Sequence, residues 1–111
     1  MTGEMYYFTL PAPDLERAKA FYGDLFGWKF EAEGHINNTK PAGGLDPSSA
    51  EQHPIVYFRV DDVAAAVVRV RAMGGESTDV IESPSGWSAT CRDNQGTHFR
   101  IGRLRPEYED K

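Results

Sequence analysis

At 111 residues, 40% hydrophobic and 26% charged, the chain has the size and composition of one globular domain, able to bury about two-thirds of its unfolded surface. A net charge of −5 and a pI near 5.1 argue against nucleic acid or an anionic membrane as partner. No apolar run approaches the roughly 20 residues needed to span a bilayer, MTGEMYYF lacks the regions of a signal peptide, and the single Cys91 excludes an internal disulfide, so a cytoplasmic protein is expected.

In chain order, Met5–Leu10 is dense in aromatic and β-favouring residues and ends at a Pro-Ala-Pro break, which predicts a strand. Asp14 is a natural N-cap with Glu16 in the first turn. Leu15, Ala18, Tyr22, Leu25 and Phe26, with Phe21 beside them, form one apolar helical stripe, and Gly27 can end the helix in the left-handed conformation. Trp28–Glu33 alternates apolar and charged residues and predicts a half-buried strand. His35–Lys40 and Ala42–Leu45 are further short strands within a stretch rich in Gly, Pro and Ser, with Asp46–His53 as a turn-rich linker. Gly43-Gly44 lacks the strand-turn-helix context of a phosphate loop and reads as a turn.

The pattern then repeats. Ile55–Val60 is a strand, Asp61 or Asp62 caps a helix with the stripe Val63, Ala66, Val67, Val70 and Met73, and Gly74-Gly75 stops it. Asp14 to Gly27 and Asp62 to Gly75 both span 13 positions, an internal repetition that dictates architecture. Strands are predicted at Thr78–Glu82, Trp87–Cys91 and Thr97–Leu104, with turns at Ser83–Gly86 and Arg92–Gly96 and a frayed tail from Arg105 to Lys111. The reading is α+β: two β-α-β-β-β modules, about 4–46 and 54–104, within a single domain of residues 1–111.

Asp14-Leu15-Glu16-Arg17-Ala18-Lys19-Ala20-Phe21-Tyr22, followed by Leu25-Phe26-Gly27-Trp28, resembles the first helix of the vicinal oxygen chelate superfamily, which includes glyoxalase I, bleomycin resistance proteins and extradiol dioxygenases. Val60-Asp61-Asp62, Gly74-Gly75 and Asp93-Asn94-Gln95-Gly96 agree, although the last departs from the family's usual Asp-Pro-Asp/Glu-Gly. The resemblance implies a curved, open, barrel-like sheet around a cleft, in a homodimer. It also implies four positions where relatives hold a divalent metal, and these are Tyr7, Ile55, the stretch Gly43–Leu45, and Arg100. Such an ion needs several convergent N or O donors, so neither a metal nor another cofactor is expected.

If the matched positions face the cleft, strand alternation adds Met5, Thr9, Tyr57, Arg59 and His98 to them and places Tyr6, Phe8, Leu10, Val56, Phe58, Val60, Phe99 and Ile101 beneath the helices. Tyr7 and Tyr57 either stack on a flat ligand or fill the space a metal leaves. Arg59 and Arg100 either hold an anion or pair with nearby carboxylates. His98 is a solvated strand histidine or a cleft acid/base. His35 and His53 read as solvent-exposed, Cys91 as an inert packing residue, Trp28 as core or interface, and Trp87 as a residue of the cleft mouth. The leading expectation is binding of a small, flat or anionic molecule in a metal-free cleft of a homodimer, at Tyr7, Thr9, Ile55, Tyr57, Arg59, His98 and Arg100. The alternatives are a metal-independent isomerase, epimerase or lyase, a metal-dependent glyoxalase or dioxygenase, and a subunit with no ligand.

Overall fold

The computed structural model describes residues 3–108. The chain forms two compact units, one of Tyr6–Val56 and the other from Tyr57 onward together with the segment up to Met5. Among the described residues there are two helices and eight strands, the α+β composition read from the sequence, and no helix is long and apolar enough to cross a membrane.

In the first unit β1 (Met5–Pro11) leads to α1 (Leu15–Phe26), then to β2 (His35–Ile36) and β3 (Ala42–Asp46). The helix begins and ends where its local signals lie. Asp14 Oδ1 accepts the Arg17 amide at 3.1 Å, and Gly27 sits at φ 74° with its amide bonded to the Gly23 carbonyl. A glycine is favoured there because a left-handed backbone crowds any Cβ. β3 pairs in parallel with β1, setting Phe8 against Gly43 and Thr9 against Gly44, and antiparallel with β2, setting His35 against Gly44. Ile36 and Leu45 are buried, and Phe8, Tyr22, Phe26, Trp28 and Phe30 form a chain of ring contacts.

Several expectations fail here for identifiable reasons. Trp28–Glu33 is no strand and keeps only a bridge from Phe30 to Ile36. Asn38 competes for its backbone, accepting the Lys29 amide at 3.0 Å and donating to the Gly27 carbonyl at 3.1 Å, as asparagine side chains do in turns. The strand expected at His35–Lys40 shrinks to two residues for the same reason. Gly43-Gly44 is not a turn but the middle of β3. The apolar stripe of α1 is only half used, since Phe21, Leu25 and Phe26 are 62%, 59% and 57% exposed.

In the second unit β4 (Ile55–Arg59), whose first two residues belong to the first unit, runs into α2 (Val63–Ala72). Asp62 is the cap, and its Oδ1 accepts the Ala65 amide at 3.0 Å. β5 (Glu76–Ser77), β6 (Ile81–Ser83), β7 (Gly86–Arg92) and β8 (His98–Leu104) follow. β8 lies parallel to β4 and antiparallel to β7, which also carries β5 and β6. The strand expected at Thr78–Glu82 instead starts at Ile81 and runs to Ser83, with Thr78 exchanging bonds with Thr90 outside the ladder: its hydroxyl accepts the Thr90 amide at 3.1 Å and its amide donates to the Thr90 carbonyl at 3.0 Å. Val63, Val67, Ala89, Cys91 and Ile101 form a buried cluster, with Val60, Ala66, Val70, Trp87 and Phe99 packed around it. Burial raises the Cys91 thiol pKa against the opposing effects of the Ser77 hydroxyl and Arg71, which fits an unreactive packing thiol. Arg105 is not frayed: it bonds Glu82 at 2.6 Å and the Pro84 carbonyl at 3.2 Å, and Pro106–Tyr108 is a 3-10 turn. Residues 109–111 of the expected tail lie outside the described residues.

The turn between β7 and β8 rests on Asp93, whose Oδ1 accepts the amides of Gln95 at 2.8 Å and Thr97 at 3.0 Å. Those bonds, that from Thr97 first, hold its carboxyl below the usual carboxylate range. A depressed pKa contributes stability above the unfolded value and loses it as pH falls through the folded value. Asp93→Ala is therefore expected to lower Tm at pH 7, with the gap from wild type closing once the pH falls below the folded pKa of Asp93. Calorimetric scans across acid pH read this directly.

Candidate functional site

Alternation along β4 and β8 sorts the second unit's side chains between two faces. Phe99 and Ile101 go with Val63 and Val67 of α2, and Phe58 meets Phe99 with ring centroids 6.0 Å apart. The intervening residues, Tyr57 and Arg59 on β4 and His98 and Arg100 on β8, take the other face. The parallel register sets Tyr57 against Arg100 and Arg59 against Gly102.

Tyr57 and Arg100 form a fixed pair. An Arg100 guanidinium N–H donates to the Tyr57 hydroxyl at 2.9 Å, and the guanidinium carbon lies 5.2 Å from the ring centroid. Such a bond is worth about 1.5–3 kcal/mol and such a stack about 0.5–2 kcal/mol, enough to restrict a long, flexible side chain. Both residues are half-buried, so their charge is less screened than at the surface. Arg59 is 4.0 Å from Glu4, with side chains 23% and 57% exposed, a distance and exposure at which an ion pair contributes little. His98 is half-buried at the start of β8, opposite Arg92. Two guanidiniums and an imidazole thus share one face, which suits a planar anion.

The first unit holds Tyr7, Thr9 and Ile55. Ile55 is buried at 7% exposure, and Thr9 is half-buried beside Gly44. Tyr7 has a partner that the sequence reading missed. Its hydroxyl is 3.2 Å from His35 Nδ1, and the two rings stack with centroids 6.0 Å apart. His35 is therefore a half-buried β2 residue rather than a solvated loop histidine. His53 is half-exposed, as expected, and lies 3.0 Å from Glu51.

The pair depends on Gly44 of β3, and Gly43 beside it makes room for Phe8. A Cβ on Gly44 would stand 2.8 Å from the Tyr7 hydroxyl, and one on Gly43 would run into the Phe8 ring. Consecutive β1 residues thus press on consecutive glycines from opposite faces, and Tyr7 reaches across β3 to His35. No sequence signal links positions 28 apart; only the register of β2 and β3 brings them together. Gly44→Ala is expected to break the Tyr7–His35 contact and cost about 1–3 kcal/mol, the usual range for overpacking. Urea denaturation and the His35 ring resonances check this, and an unchanged His35 environment would contradict it.

With this geometry in hand, comparison with known proteins is decisive at one level. Residues 7–102 match the glyoxalase-like domain family. The chain belongs to that family. A glyoxylase-like domain-containing protein of Didymella fabae is 37% identical over 98 residues, covering 71% of this chain and 75% of the relative. Among solved structures, methylmalonyl-CoA epimerase from Mycobacterium tuberculosis matches with a TM-score of 0.66 and 17% identity over 95% of this chain and 89% of its own. A glyoxalase/bleomycin resistance protein/dioxygenase superfamily member from Vibrio splendidus 12B01 matches with a TM-score of 0.66 and 13% identity over 92% of this chain and all (100%) of its own. At such identities these likenesses are of fold, and the fold is that of the vicinal oxygen chelate superfamily.

The residues at the four positions that the family resemblance implies do not fit a divalent ion. The corresponding positions carry a phenol already bonded to His35, a buried isoleucine, two glycines and a leucine in β3, and a guanidinium. A guanidinium has no lone pair to donate and repels a cation. Among the described residues no three His, Cys, Asp or Glu side chains are grouped to hold a metal ion.

Proposed function

We propose that this glyoxalase-like protein binds a small, flat, anionic molecule against the Tyr57–Arg100 face without a metal ion, and that it works as a homodimer. The observation that carries the reading is the fixing of the Arg100 guanidinium by Tyr57 at 2.9 Å, at a position where the family resemblance implies a metal ligand. Arginine presents five donors in a planar fork matched to carboxylate and phosphate, and the Tyr57 hydroxyl engages one of them. Prior orientation lowers the entropy lost when a ligand binds. Arg59 adds a second guanidinium and His98 an imidazole on the same face, and the Tyr57 ring supplies an apolar surface. A Streptomyces coelicolor methylmalonyl-CoA epimerase was solved in complex with 2-nitronate-propionyl-CoA, so this fold accommodates an anionic small molecule elsewhere. In a thermal-shift and calorimetric screen of aromatic carboxylates and acyl-CoA esters, Arg100→Ala and Tyr57→Ala are expected to weaken binding about tenfold or more, the loss typical of a removed charge-assisted bond. Unchanged affinity in both variants would refute the assignment.

The homodimer is supported by Phe21, Leu25 and Phe26, three large apolar side chains at one end of α1 that are each more than half exposed. Such clustering marks interaction surfaces. Phe21→Asp combined with Leu25→Asp is expected to give a monomer by light scattering; a wild-type chain that is already monomeric at high concentration would remove this part of the proposal.

The hydrogen-bonded Tyr7–His35 pair favours a second reading, a metal-independent isomerase, epimerase or lyase. A phenol hydrogen-bonded to an imidazole is a pair of groups able to pass a proton between them, which makes His35 an acid/base candidate beside His98. Deuterium incorporation into acyl-CoA esters in D2O, lost in Tyr7→Phe and His35→Gln, would favour this reading over binding alone.

A further inference from the structure

The second unit carries a pocket of about 310 Å³ on the α2 side of β7 and β8. Its floor and walls are Val63 and Ala64 of the first turn of α2, Val80 before β6, and Trp87 of β7, with Asp61 and Arg103 at the polar end. The volume lies at the small end of the range for ligand sites, enough for a molecule of one or two rings. Trp87 therefore packs on the helix side and is not the residue of a cleft mouth that its place after Ser-Pro-Ser-Gly suggested.

The aromatic wall is held rigidly. The Arg105 guanidinium covers the Trp87 ring at 4.5 Å, and Arg105 is anchored by Glu82 at 2.6 Å and by its own amide to the Ser85 carbonyl at 2.8 Å. The same lining includes Val80, 39% exposed. Arg103 is also fixed, donating through one guanidinium nitrogen to the Asp61 carbonyl at 2.9 Å. Its planar fork has five donors in all, and this contact uses one.

Charge selects among possible ligands. The lining carries the Arg103 guanidinium against the carboxylates of Asp61 and Asp62, of which Asp62 caps α2. A permanent anion would meet the two carboxylates, and a cation would meet the Arg103 guanidinium. We propose that this pocket is a second small-molecule site, selective for an uncharged aromatic molecule bearing a hydrogen-bond acceptor, such as an aryl ketone. The ring packs against Trp87 and Val80, and the carbonyl oxygen accepts from Arg103.

The chain has two tryptophans, so two indole N–H resonances report the test, and Trp28→Phe tells them apart. Acetophenone, benzoate and benzylamine, similar in size and different in charge, are titrated into the full chain. Acetophenone is expected to shift the Trp87 resonance saturably, with the other two about tenfold weaker, the scale on which unpaired or like charges discriminate between ligands. Val80→Asp and Arg103→Gln, both at exposed positions, should each weaken the shift severalfold, while Arg100→Ala on the opposite face leaves it unchanged. Absence of saturation with acetophenone, tighter binding of benzoate, or indifference to Val80→Asp would overturn the proposal. Loss of the shift in Arg100→Ala would also overturn it, by assigning the ligand to the other face.

Discussion

The parallel pairing of β4 with β8 decides what the second unit can do. It aligns Tyr57 with Arg100, and because side chains alternate along a strand, it sends Phe99 and Ile101 into the cluster under α2. The apolar half of the pattern is thermodynamically enforced. A one-residue slip would expose Phe99 and Ile101 and bury Arg100, at a cost of several kcal/mol for the uncompensated charge alone. The position of the guanidinium is therefore a consequence of the core. It is then refined by the Tyr57 hydroxyl.

The first unit obeys the same rule with different chemistry. Phe8 and Tyr7 are neighbours on β1 and face opposite ways, each against a glycine of β3. Glycine usually weakens a strand interior, and its presence there marks a close approach. Here the approach is by side chains, and what it permits is the Tyr7–His35 contact. At two of the positions that the resemblance implies for metal ligands, the chain carries a phenol hydrogen-bonded to an imidazole and a guanidinium hydrogen-bonded to a phenol.

Both helices and their boundaries were legible in the sequence because caps are local. Asp14, Gly27 and Asp62 each act within four residues of their own position. The strands β1, β4, β7 and β8 were legible from period and composition, and the helix signature pointed to the superfamily. What escaped depended on competition or on register. Asn38 diverts the backbone after Trp28, Thr78 bonds Thr90 outside the ladder before β6, and Arg105 ties down the expected tail through Glu82. His35 could not be found because its partner is set by strand pairing. Trp87 was misplaced because its side is fixed by packing against α2 rather than by the turn before it.

We propose that this glyoxalase-like chain binds its ligand through an oriented guanidinium in place of a metal ion. The most direct test is calorimetric titration of the best-binding carboxylate or acyl-CoA ester, with and without excess EDTA, in wild type and Tyr57→Phe. The account predicts the same Kd with and without chelator, and a weaker Kd when the hydroxyl that holds Arg100 is removed. Binding that disappears with EDTA and returns with a divalent ion would contradict it.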